Sequence, residues 1–414
     1  MVKPRTNYIA SLDIGNNKII CLIAEVKSNG ELNVIGIGHN ESAGIKSGTI
    51  VNIQKAEIAI RAAVSAAEQM AGINVDKIIV NISGAKQKSH LVSVEVPITQ
   101  GQEINSKDIN RLIEEACKYV AQENIEIVHC IPIEYMIDNN PGITDPTGMF
   151  GTVLSANLHI ITACSSVIHT LTNCLAKCHL DVEYYVSSPL ASGYSCLKED
   201  EKLLGCILIE FGGGNTTLSY FKNGHIVHMD TIALGGSHIT NDIALGISTH
   251  INGAERIKTL YGSLFNSTND ENDLINVPVM DSENTDSTNQ IERAILFDII
   301  LPRVEEILEA IKDNIDHSSL AKTGKTIIIT GGASQLSGLK EFVAHYLNKQ
   351  VRIGIPPKLN GLNDNIKGPA FATSIGMLQY SLDKLIAENK DNPKSPYFVK
   401  NSINSLSRWF KENF

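Results

Sequence analysis

The chain has 414 residues, of which 43% are hydrophobic and 5% aromatic, with a formal net charge of −10 and a pI near 5.7. This composition favours an α/β protein with at least two domain-sized cores, and the lack of basic clusters excludes a general affinity for nucleic acid. No apolar run is long enough to span a membrane or to act as a signal peptide, so we expect a cytoplasmic protein.

The first predicted element is a hairpin. YIASLDIGNNKIICLIAEV (8–26) alternates apolar residues around a small polar turn, which predicts a strand, a tight turn and a second strand. Asp13 ends the first strand, and Gly15 opens the turn. A helix is predicted after the hairpin, at 54–71, from the spacing of its apolar residues.

A separate pattern of strands and helix occupies residues 84–162. We therefore expect a subdomain inserted into the first domain there. Its helix is predicted at 106–122, with Ser106 as the N-cap.

The hairpin pattern recurs in LGCILIEFGGGNTTLSYFKNG (204–224). Again an acid ends the first strand and glycine follows two positions later, here Glu210 and Gly212. The acid lies 210 − 13 = 197 residues after Asp13. This repetition predicts a duplication, with two similar domains facing each other.

Four further segments complete the chain up to its C-terminal region. Residues 266–290 contain six acids and no Lys or Arg, which predicts a solvated loop. Helical periodicity follows at 291–314. Residues 325–347 predict a buried strand, a Gly-Gly turn and an amphipathic helix, and polar residues with two prolines predict a flexible linker at 381–397.

The two hairpin turns have the composition of phosphate-binding loops. Small residues between two strands expose successive backbone N–H groups, and glycine permits the close approach of phosphate. Asp13 and Glu210 end strands where a hydrated Mg²⁺ would bridge them to the phosphates, and Lys18 lies close behind the first turn. Each motif alone is also common in ordinary hairpins, so the prediction depends on their combination.

The order of the glycine motifs resembles that of a known superfamily. DIG (13–15), GGG (212–214), AERIKTLYG (254–262) and TGGAS (330–334) follow one another as in the actin, Hsp70 and sugar-kinase superfamily of ATP-binding proteins. Within it, the chain resembles the bacterial FtsA family over nearly its whole length. The resemblance implies an actin/Hsp70-like two-domain duplicated α/β fold, with a central nucleotide cleft and an inserted FtsA-type subdomain.

The resemblance also implies the domain bounds. The first actin-like domain would comprise residues 1–83 and 163–200, the inserted subdomain 84–162, the second actin-like domain 201–380 with its outer subdomain at 237–318, the flexible linker 381–397, and an amphipathic membrane-targeting helix 398–414.

ATP with Mg²⁺ would bind in the cleft and control self-association into filaments. The implied nucleotide-binding residues are Asp13, Gly15, Asn16, Asn17, Lys18, Gly212, Gly213, Gly214, Asn215, Thr216, Glu255, Lys258, Gly331, Gly332 and Ala333, with Asp13 and Glu210 holding the metal through water. For Glu255 and Lys258, the alternative is an ordinary ion pair on a solvated helix.

Several positions depart from the pattern of the family. Asn16 and Asn17 stand where hydroxyl residues are usual, and Glu210 replaces an aspartate. Thr217 stands where relatives often carry a second acid. Ser188 stands where they often carry a Glu or Gln that orients the attacking water. We therefore expect slow or absent hydrolysis, with ATP as a structural ligand. The alternative is a kinase or phosphatase of the same superfamily, which would need a carboxylate as general base.

The resemblance implies protein partners as well. The outer subdomain would bind the C-terminal peptide of FtsZ, with Arg303 as the peptide-binding arginine. Other division proteins would also be partners. The alternative for Arg303 is an ion pair along its helix with Glu306 or Glu309.

The only tryptophan of the chain, Trp409, lies in an amphipathic pattern near the C terminus. On a helical wheel the apolar side spans about 160° and comprises Phe398, Val399, Ile403, Leu406, Trp409, Phe410 and Phe414. Lys400, Asn404, Arg408, Lys411 and Glu412 fill the other side. The pattern predicts a helix lying in the membrane interface; docking onto the protein's own surface is the alternative. Together with this tail, the resemblance implies a peripheral protein that anchors FtsZ filaments at the cytoplasmic face of the bacterial inner membrane, at the division septum.

Overall fold

The structure is a computed structural model that describes residues 8–84, 86–265, 274–278, 288–318, 326–362 and 366–389. The predicted membrane-targeting helix at 398–414 lies outside the described residues, as does the predicted linker beyond residue 389. Within these ranges, each helix is too short or too polar to cross a bilayer.

The N-terminal strands build the first sheet. Its elements up to residue 82 are β1 (Tyr8–Ile14), β2 (Lys18–Val26), β3 (Leu32–Glu41), the short β4 (Ile45–Lys46) and β5 (Thr49–Ile50), α1 (Ile53–Ala71) and β6 (Lys77–Ile82). Side chains of β2 alternate between two cores, because successive residues of a strand face opposite sides of the sheet. Ile19, Cys21 and Ile23 pack towards α1, and Ile20, Leu22 and Ala24 pack towards the second domain.

An inserted unit with its own core follows β6. Its elements are β7 (Gln87–Pro97), α2 (Ser106–Val120), β8 (Ile125–Ile137), β9 (Asn140–Ile143) and β10 (Val153–Cys164), and its strands lie in the order β7-β10-β8-β9. The buried stripe of α2 packs into a cluster with residues of the sheet, including Leu112, Ile113 and Leu154.

The predicted N-cap of α2 was wrong by one position, since Asn105 caps the helix and Ser106 is its first residue. Asn105 Oδ1 accepts from the N–H of Lys107 at 2.9 Å, and the Asp108 carboxylate accepts from the N–H of Asn105 at 3.1 Å. This reciprocal pair needs an acid three residues after the cap. The residue three positions after Ser106 is the apolar Ile109, so Ser106 could not form this pair.

The chain then returns to the first sheet. The elements that follow the insert are α3 (Ser165–Lys177), β11 (Asp181–Ser187), α4 (Ser188–Cys196) and α5 (Glu199–Leu204). Strand β11 joins β6 in parallel, which completes the order β3-β2-β1-β6-β11.

The second domain repeats this arrangement. Its elements are β12 (Cys206–Phe211), β13 (Thr216–Lys222), β14 (His225–Ile232), α6 (Gly236–Gly246), α7 (Ile251–Tyr261), β15 (Leu274–Pro278), β16 (Thr288–Glu292), α8 (Arg293–His317), β17 (Thr326–Thr330), α9 (Leu339–Leu347), β18 (Gln350–Ile353) and α10 (Ala372–Asn389), with one-turn 3₁₀ helices at Gly332–Gln335 and Pro369–Phe371. The sheet order β14-β13-β12-β17-β18 matches the first sheet strand for strand. Each sheet has three antiparallel strands followed by two parallel ones. The predicted duplication is confirmed.

The segment 266–290, predicted to be a loop throughout, contains a strand and part of another. Strands β15 and β16 pair as an antiparallel hairpin. Ile275 and Val277 are buried against the second-domain core, while the alternate residues Leu274 and Asn276 are exposed. This alternation covers only five residues among many acids and amides, so composition over a longer window concealed it.

Helices α4 and α10 lie between the two sheets. They share one cluster with residues from both domains, including Leu22 of β2 and Leu208 of β12. A Cβ added at Gly376 of α10 would lie 1.8 Å from the carbonyl oxygen of Ala191 on α4, so the two helices cross at close range. The domains are thus joined through a tightly packed helix pair.

The predicted start of the linker at residue 381 was wrong, because α10 continues to Asn389. Ser381 is buried, and Leu382 and Leu385 pack against the cluster between the domains. These contacts stabilise the helix past the point where the composition becomes polar.

Candidate functional site

A cleft of about 670 Å³ lies between the two domains. It is lined by most of the residues that the sequence singled out, which are Asp13, Gly15, Asn16, Asn17, Lys18, Glu210, Gly212, Gly213, Gly214, Asn215, Glu255, Lys258, Gly331, Gly332 and Ala333. The structure does not bring Thr216 to the cleft. Its hydroxyl is buried and donates to the carbonyl of Leu234 at 2.8 Å. Thr217, the next residue of the strand, lines the cleft instead, as the alternation of a strand requires.

The two hairpin turns close in the same way. The N–H of Gly15 donates to the carbonyl of Lys18 at 3.0 Å, and the N–H of Gly212 donates to the carbonyl of Asn215 at 2.9 Å. Each turn therefore forms a compact loop at the end of an equivalent strand, β1 in one domain and β12 in the other. The duplication places two similar loops on opposite sides of one cleft.

Each loop keeps backbone N–H groups available. Within the described residues, those of Asn16, Asn17, Gly213 and Gly214 donate to no protein acceptor. Successive unpaired N–H groups in a turn form a concave site for an anion. Two such loops facing each other can hold a ligand with several negatively charged groups.

Hydrogen bonds across the cleft join the first loop to the start of α6, where the N–H of Ser237 also donates to the carbonyl of Gly213 in the second loop. The Ser237 hydroxyl, at the start of α6, donates to Asn17 Oδ1 at 2.8 Å and accepts from Asn16 Nδ2 at 3.1 Å. Asn16 Oδ1 in turn accepts from the N–H of Ser47 at 2.9 Å. The two asparagines that depart from the family pattern thus connect the domains through their side chains.

The two acids form the floor of the cleft, and neutral donors hold both of them. Asp13 accepts from Asn81 Nδ2 at 2.9 Å and from the Ser374 hydroxyl at 2.6 Å. Burial raises the pKa of Asp13, while the Ser374 hydrogen bond and the charge of Lys18 partly offset that shift.

Glu210 is held in the same manner. Its two carboxylate oxygens accept from the hydroxyls of Thr373 at 2.8 Å and Ser192 at 3.0 Å. Burial raises the pKa of Glu210, and the Thr373 hydrogen bond offsets part of the shift.

Lys18 is the cation of the cleft floor. Its Nζ donates to the carbonyl of Ala370 at 2.6 Å and lies 3.9 Å from the centre of the Phe371 ring. Burial lowers the pKa of Lys18 to about 8, and the nearby charges of Asp13 and Glu210 limit the shift. Fixed in this way, the ammonium group can pair with an anion in the cleft.

Sequence reasoning missed the segment 370–374, which contacts all three charged residues of the floor. It has no glycine motif and no charge, and its only local signal is a pair of hydroxyl residues at the start of an apolar helical pattern. Asn81 and Ser192 were missed for the same reason.

Glu255 and Lys258 form the ion pair that was one of the two alternatives, and they also lie at the cleft. The pair spans one turn of α7, at 2.7 Å. Lys258 Nζ also donates to the Thr240 hydroxyl at 2.7 Å and to the carbonyl of Gly236 at 3.1 Å. The pair is therefore fixed against α6, with its polar atoms at the cleft wall.

The wall near α7 and the Gly332–Gln335 turn has apolar side chains beside polar ones. Sequence reasoning had not assigned its residues, which are Ile239, Leu260, Leu336, Gln335 and Arg293. A flat apolar group can pack there while the glycine loops hold a charged one. The cleft therefore suits an elongated ligand with one polyanionic end.

Ser188 lines the cleft, but its hydroxyl is already engaged. It donates to the carbonyl of Ile82 at 3.1 Å and accepts from Asn81 Nδ2 at 3.1 Å. A serine held in this way cannot remove a proton from a water molecule as a carboxylate does.

Arg303 lies outside the cleft, on α8, and is engaged in ion pairs. Its guanidinium donates to both carboxylate oxygens of Asp242, at 2.6 and 3.0 Å, and also to Glu306. The hydrogen bond and charge of Asp242 raise the pKa of Arg303. The alternative ion pair with Glu306 is therefore present.

Comparison with known proteins gives the family. A sequence model described as "Cell division protein FtsA" matches residues 207–376, and one described as "SHS2 domain inserted in FTSA" matches residues 84–162. The chain is 39% identical over 387 residues to the cell division protein FtsA of Rhizobium meliloti, covering 91% of this chain and 87% of that protein. The chain belongs to the FtsA family of cell division proteins. It is also 28% identical to the FtsA of Escherichia coli, covering 98% of each chain.

Solved structures share the fold of this FtsA-family chain at low sequence identity. The structure described as "PilM-PilN type IV pilus biogenesis complex" has a TM-score of 0.66 and 15% identity, covering 92% of this chain and 99% of that one. MreB5 of Spiroplasma citri, described as bound to ADP, has a TM-score of 0.54 and 13% identity, covering 94% and 100%. The predicted actin-like α/β fold is confirmed.

The hydrogen bonds of Ser237 across the cleft predict a change in local stability. In Ser237→Ala, two hydrogen bonds across the cleft are lost, each contributing about 1 kcal/mol. We expect amide hydrogen exchange at residues 212–216 to accelerate several-fold, as measured by mass spectrometry. Ser42→Ala is the matched control, since the Ser42 hydroxyl donates to the Gly15 carbonyl within one domain at 2.8 Å. Equal exchange at 212–216 in the two variants would show that Ser237 does not hold the loops together.

Proposed function

We propose that this FtsA-family protein binds ATP with Mg²⁺ in the cleft and uses the bound nucleotide to control self-association. One observation carries this proposal: two equivalent glycine loops, one from each domain, face a single cleft with unpaired N–H groups, a lysine and two acids. The polyphosphate fits the loops and Lys18, and the adenosine fits the wall near Leu260 and Leu336. The relative MreB5, described as bound to ADP, supports a nucleotide in this fold.

The acid pair fits a hydrated Mg²⁺. The described residues contain no group of three or more His, Cys, Asp or Glu side chains that could hold a metal ion by themselves. Mg²⁺ usually keeps several waters and takes few protein ligands besides substrate phosphates. Asp13 and Glu210 would therefore hold the ion through its waters, and the ion would supply positive charge beside the phosphates.

Hydrolysis should be slow, because no carboxylate among the described residues of the cleft is available as a free general base. The oxygens of Asp13 and Glu210 accept hydrogen bonds from fixed donors, Glu255 is paired with Lys258, and Ser188 is neutral. Sustained turnover near the typical enzyme rate of about 10 s⁻¹ would favour the kinase or phosphatase alternative. In the proposed function, ATP acts by holding the domains together.

The first test of this function is Gly213→Leu. A Cβ at Gly213 would lie 2.5 Å from Asn17 Oδ1 and 3.3 Å from Asn16 Cβ, so a larger side chain fills the space between the loops. We expect no ATP binding by isothermal titration at ligand concentrations that saturate the parent. Thermal unfolding of the same sample separates lost binding from lost folding, and unchanged affinity in a folded variant would remove this loop from the site.

We further propose that the outer subdomain, residues 237–318, binds the C-terminal peptide of FtsZ through Arg303. Asp242 accepts from two donors of the guanidinium. The side chain of Glu306 is 52% exposed, whereas that of Asp242 is 27% exposed. A peptide carboxylate could replace Glu306 while Asp242 keeps the guanidinium in place. Arginine suits this exchange because its planar donors pair with two carboxylates at once.

Charge reversal tests the peptide site. Arg303→Glu should weaken binding of a labelled FtsZ C-terminal peptide at least tenfold by fluorescence anisotropy, since repulsion replaces an ion pair. ATP affinity should not change, because Arg303 lies outside the cleft. Lys312→Glu, an exposed position on the same helix, controls for net charge, and Glu306→Gln should preserve or strengthen binding. Equal peptide affinity of Arg303→Glu and Lys312→Glu would exclude Arg303 from the site.

We also propose that residues 398–414 anchor the protein to the cytoplasmic face of the inner membrane. This rests on the sequence pattern, an apolar face with Trp409 and Phe410 opposite a face with Lys and Arg. Burial contributes about 25 cal/mol per Å² of apolar area, partly offset by ordering of the helix. One tail should therefore bind modestly, and a filament that presents many tails should bind strongly. Such filaments would hold FtsZ at the septum and provide a platform for other division proteins.

Substitution of the tryptophan tests the anchor. Trp409→Glu places a charge in the apolar face and should reduce co-sedimentation with anionic vesicles to background, with ATP and FtsZ-peptide binding unchanged. Trp409→Phe keeps an apolar ring and should retain most of the binding. Parent-like sedimentation of Trp409→Glu would mean that the tail is not the anchor.

A further inference from the structure

One short segment connects every charged group of the cleft floor. In residues 370–374, the carbonyl of Ala370 and the ring of Phe371 contact Lys18, the Thr373 hydroxyl donates to Glu210, and the Ser374 hydroxyl donates to Asp13. Asp13 belongs to the first domain and Glu210 to the second. The segment therefore holds both acids, one from each half of the molecule.

The geometry of α10 explains how adjacent residues reach two acids. Thr373 and Ser374 lie in the first turn of the helix, where successive side chains are about 100° apart. Their hydroxyls donate at 2.8 Å to Glu210 Oε1 and at 2.6 Å to Asp13 Oδ2. The N-terminal turn of a helix also favours nearby negative charge.

The two hydroxyls are enclosed by close contacts. Thr373 and Ser374 are buried, and the Thr373 hydroxyl also lies 3.0 Å from the hydroxyl of Ser192 on α4. The carbonyl of Ala372 accepts from Ser195 at 2.7 Å, and Gly376 is in close contact with Ala191. Both hydroxyls therefore lie enclosed beside the helix crossing between the domains.

Thr373 and Ser374 are neutral donors, so they hold the two acids without neutralising them. A lysine or arginine in place of Thr373 or Ser374 would neutralise the acids and compete with a cation for them. Hydroxyl donors fix the position of a carboxylate and leave its negative charge available. An outer-sphere cation site requires carboxylates whose positions are fixed and whose charge is retained.

We propose that Thr373 and Ser374 are positioning residues that hold Glu210 and Asp13 at a fixed separation for the hydrated magnesium ion of bound ATP. This inference rests on the proposed function and goes beyond it, because it assigns the magnesium dependence of binding to two residues that lie outside both glycine turns and act through the acids.

The test measures ATP affinity of the full chain in excess Mg²⁺ and in EDTA by isothermal titration. The ratio of the two dissociation constants is the magnesium coupling. In Ser374→Ala and Thr373→Val, we expect this ratio to fall about tenfold, in line with the loss of one hydrogen bond to a charged group, with the affinity in EDTA changed less than twofold. Ser374→Thr and Thr373→Ser keep the hydroxyl and should keep the coupling.

A structural role would give a different result. Ser195→Ala is the matched control, because it removes a buried hydroxyl that bonds to Ala372 at the same helix crossing and touches neither acid. It should retain the coupling of the parent. If Ser374→Ala unfolds, Ser374→Cys keeps the volume with a weak donor and should show the same loss of coupling.

Two outcomes would overturn the inference: parent-like coupling in both Ser374→Ala and Thr373→Val, or an equal loss of affinity with and without Mg²⁺. Failure of the parent to bind ATP in either condition would instead overturn the proposed function, together with the inference that rests on it.

Discussion

The two acids of the cleft floor lie largely away from water, and the surrounding structure is arranged to hold them there. A buried carboxylate is costly unless its oxygens accept hydrogen bonds. All four oxygens of Asp13 and Glu210 do so, from hydroxyl or amide groups. These donors come from β6, α4 and α10, which are far apart in the chain. Both acids are satisfied only when the two domains pack together at this junction.

Small residues make the junction possible. Gly376 and Ala191 let α4 and α10 approach closely enough for short hydroxyl side chains on both helices to reach the acids. The helix pair is packed against apolar residues of both sheets. At the opposite side of the loops, the domains are joined by exposed or partly buried amide and hydroxyl contacts around Ser237. The domains are thus joined by close apolar packing at the helix pair and by a few hydrogen bonds where the first loop meets α6.

This division suits a protein that responds to a ligand between its domains. A ligand changes a conformational equilibrium only through a difference in its interactions with the two states. Contacts with both glycine loops exist only when the loops are near each other, so a ligand that spans them favours the closed arrangement. Among the described residues of the cleft, each carboxylate is engaged by a fixed donor or by Lys258, which agrees with the structural role that we propose for a bound nucleotide.

The sequence by itself determined the features that depend on neighbouring residues. Both hairpin turns, with Asp13, Gly15, Glu210 and Gly212, carry their signal within a few positions, because a tight turn at the end of a buried strand requires small residues there. The duplication and the actin-like fold could be predicted because these local signals recur in a fixed order.

Tertiary structure decided the rest. The donors Asn81, Ser192, Thr373 and Ser374 have no local motif, and only the packing of distant segments gives them partners. The same holds for the helical residues after 381, which long-range apolar contacts stabilise against a polar composition. Thr217, and not Thr216, reaches the cleft because strand pairing sets which face is inward. Local chemistry can specify a turn, but the partner of a buried polar group is specified only when the chain brings its segments together.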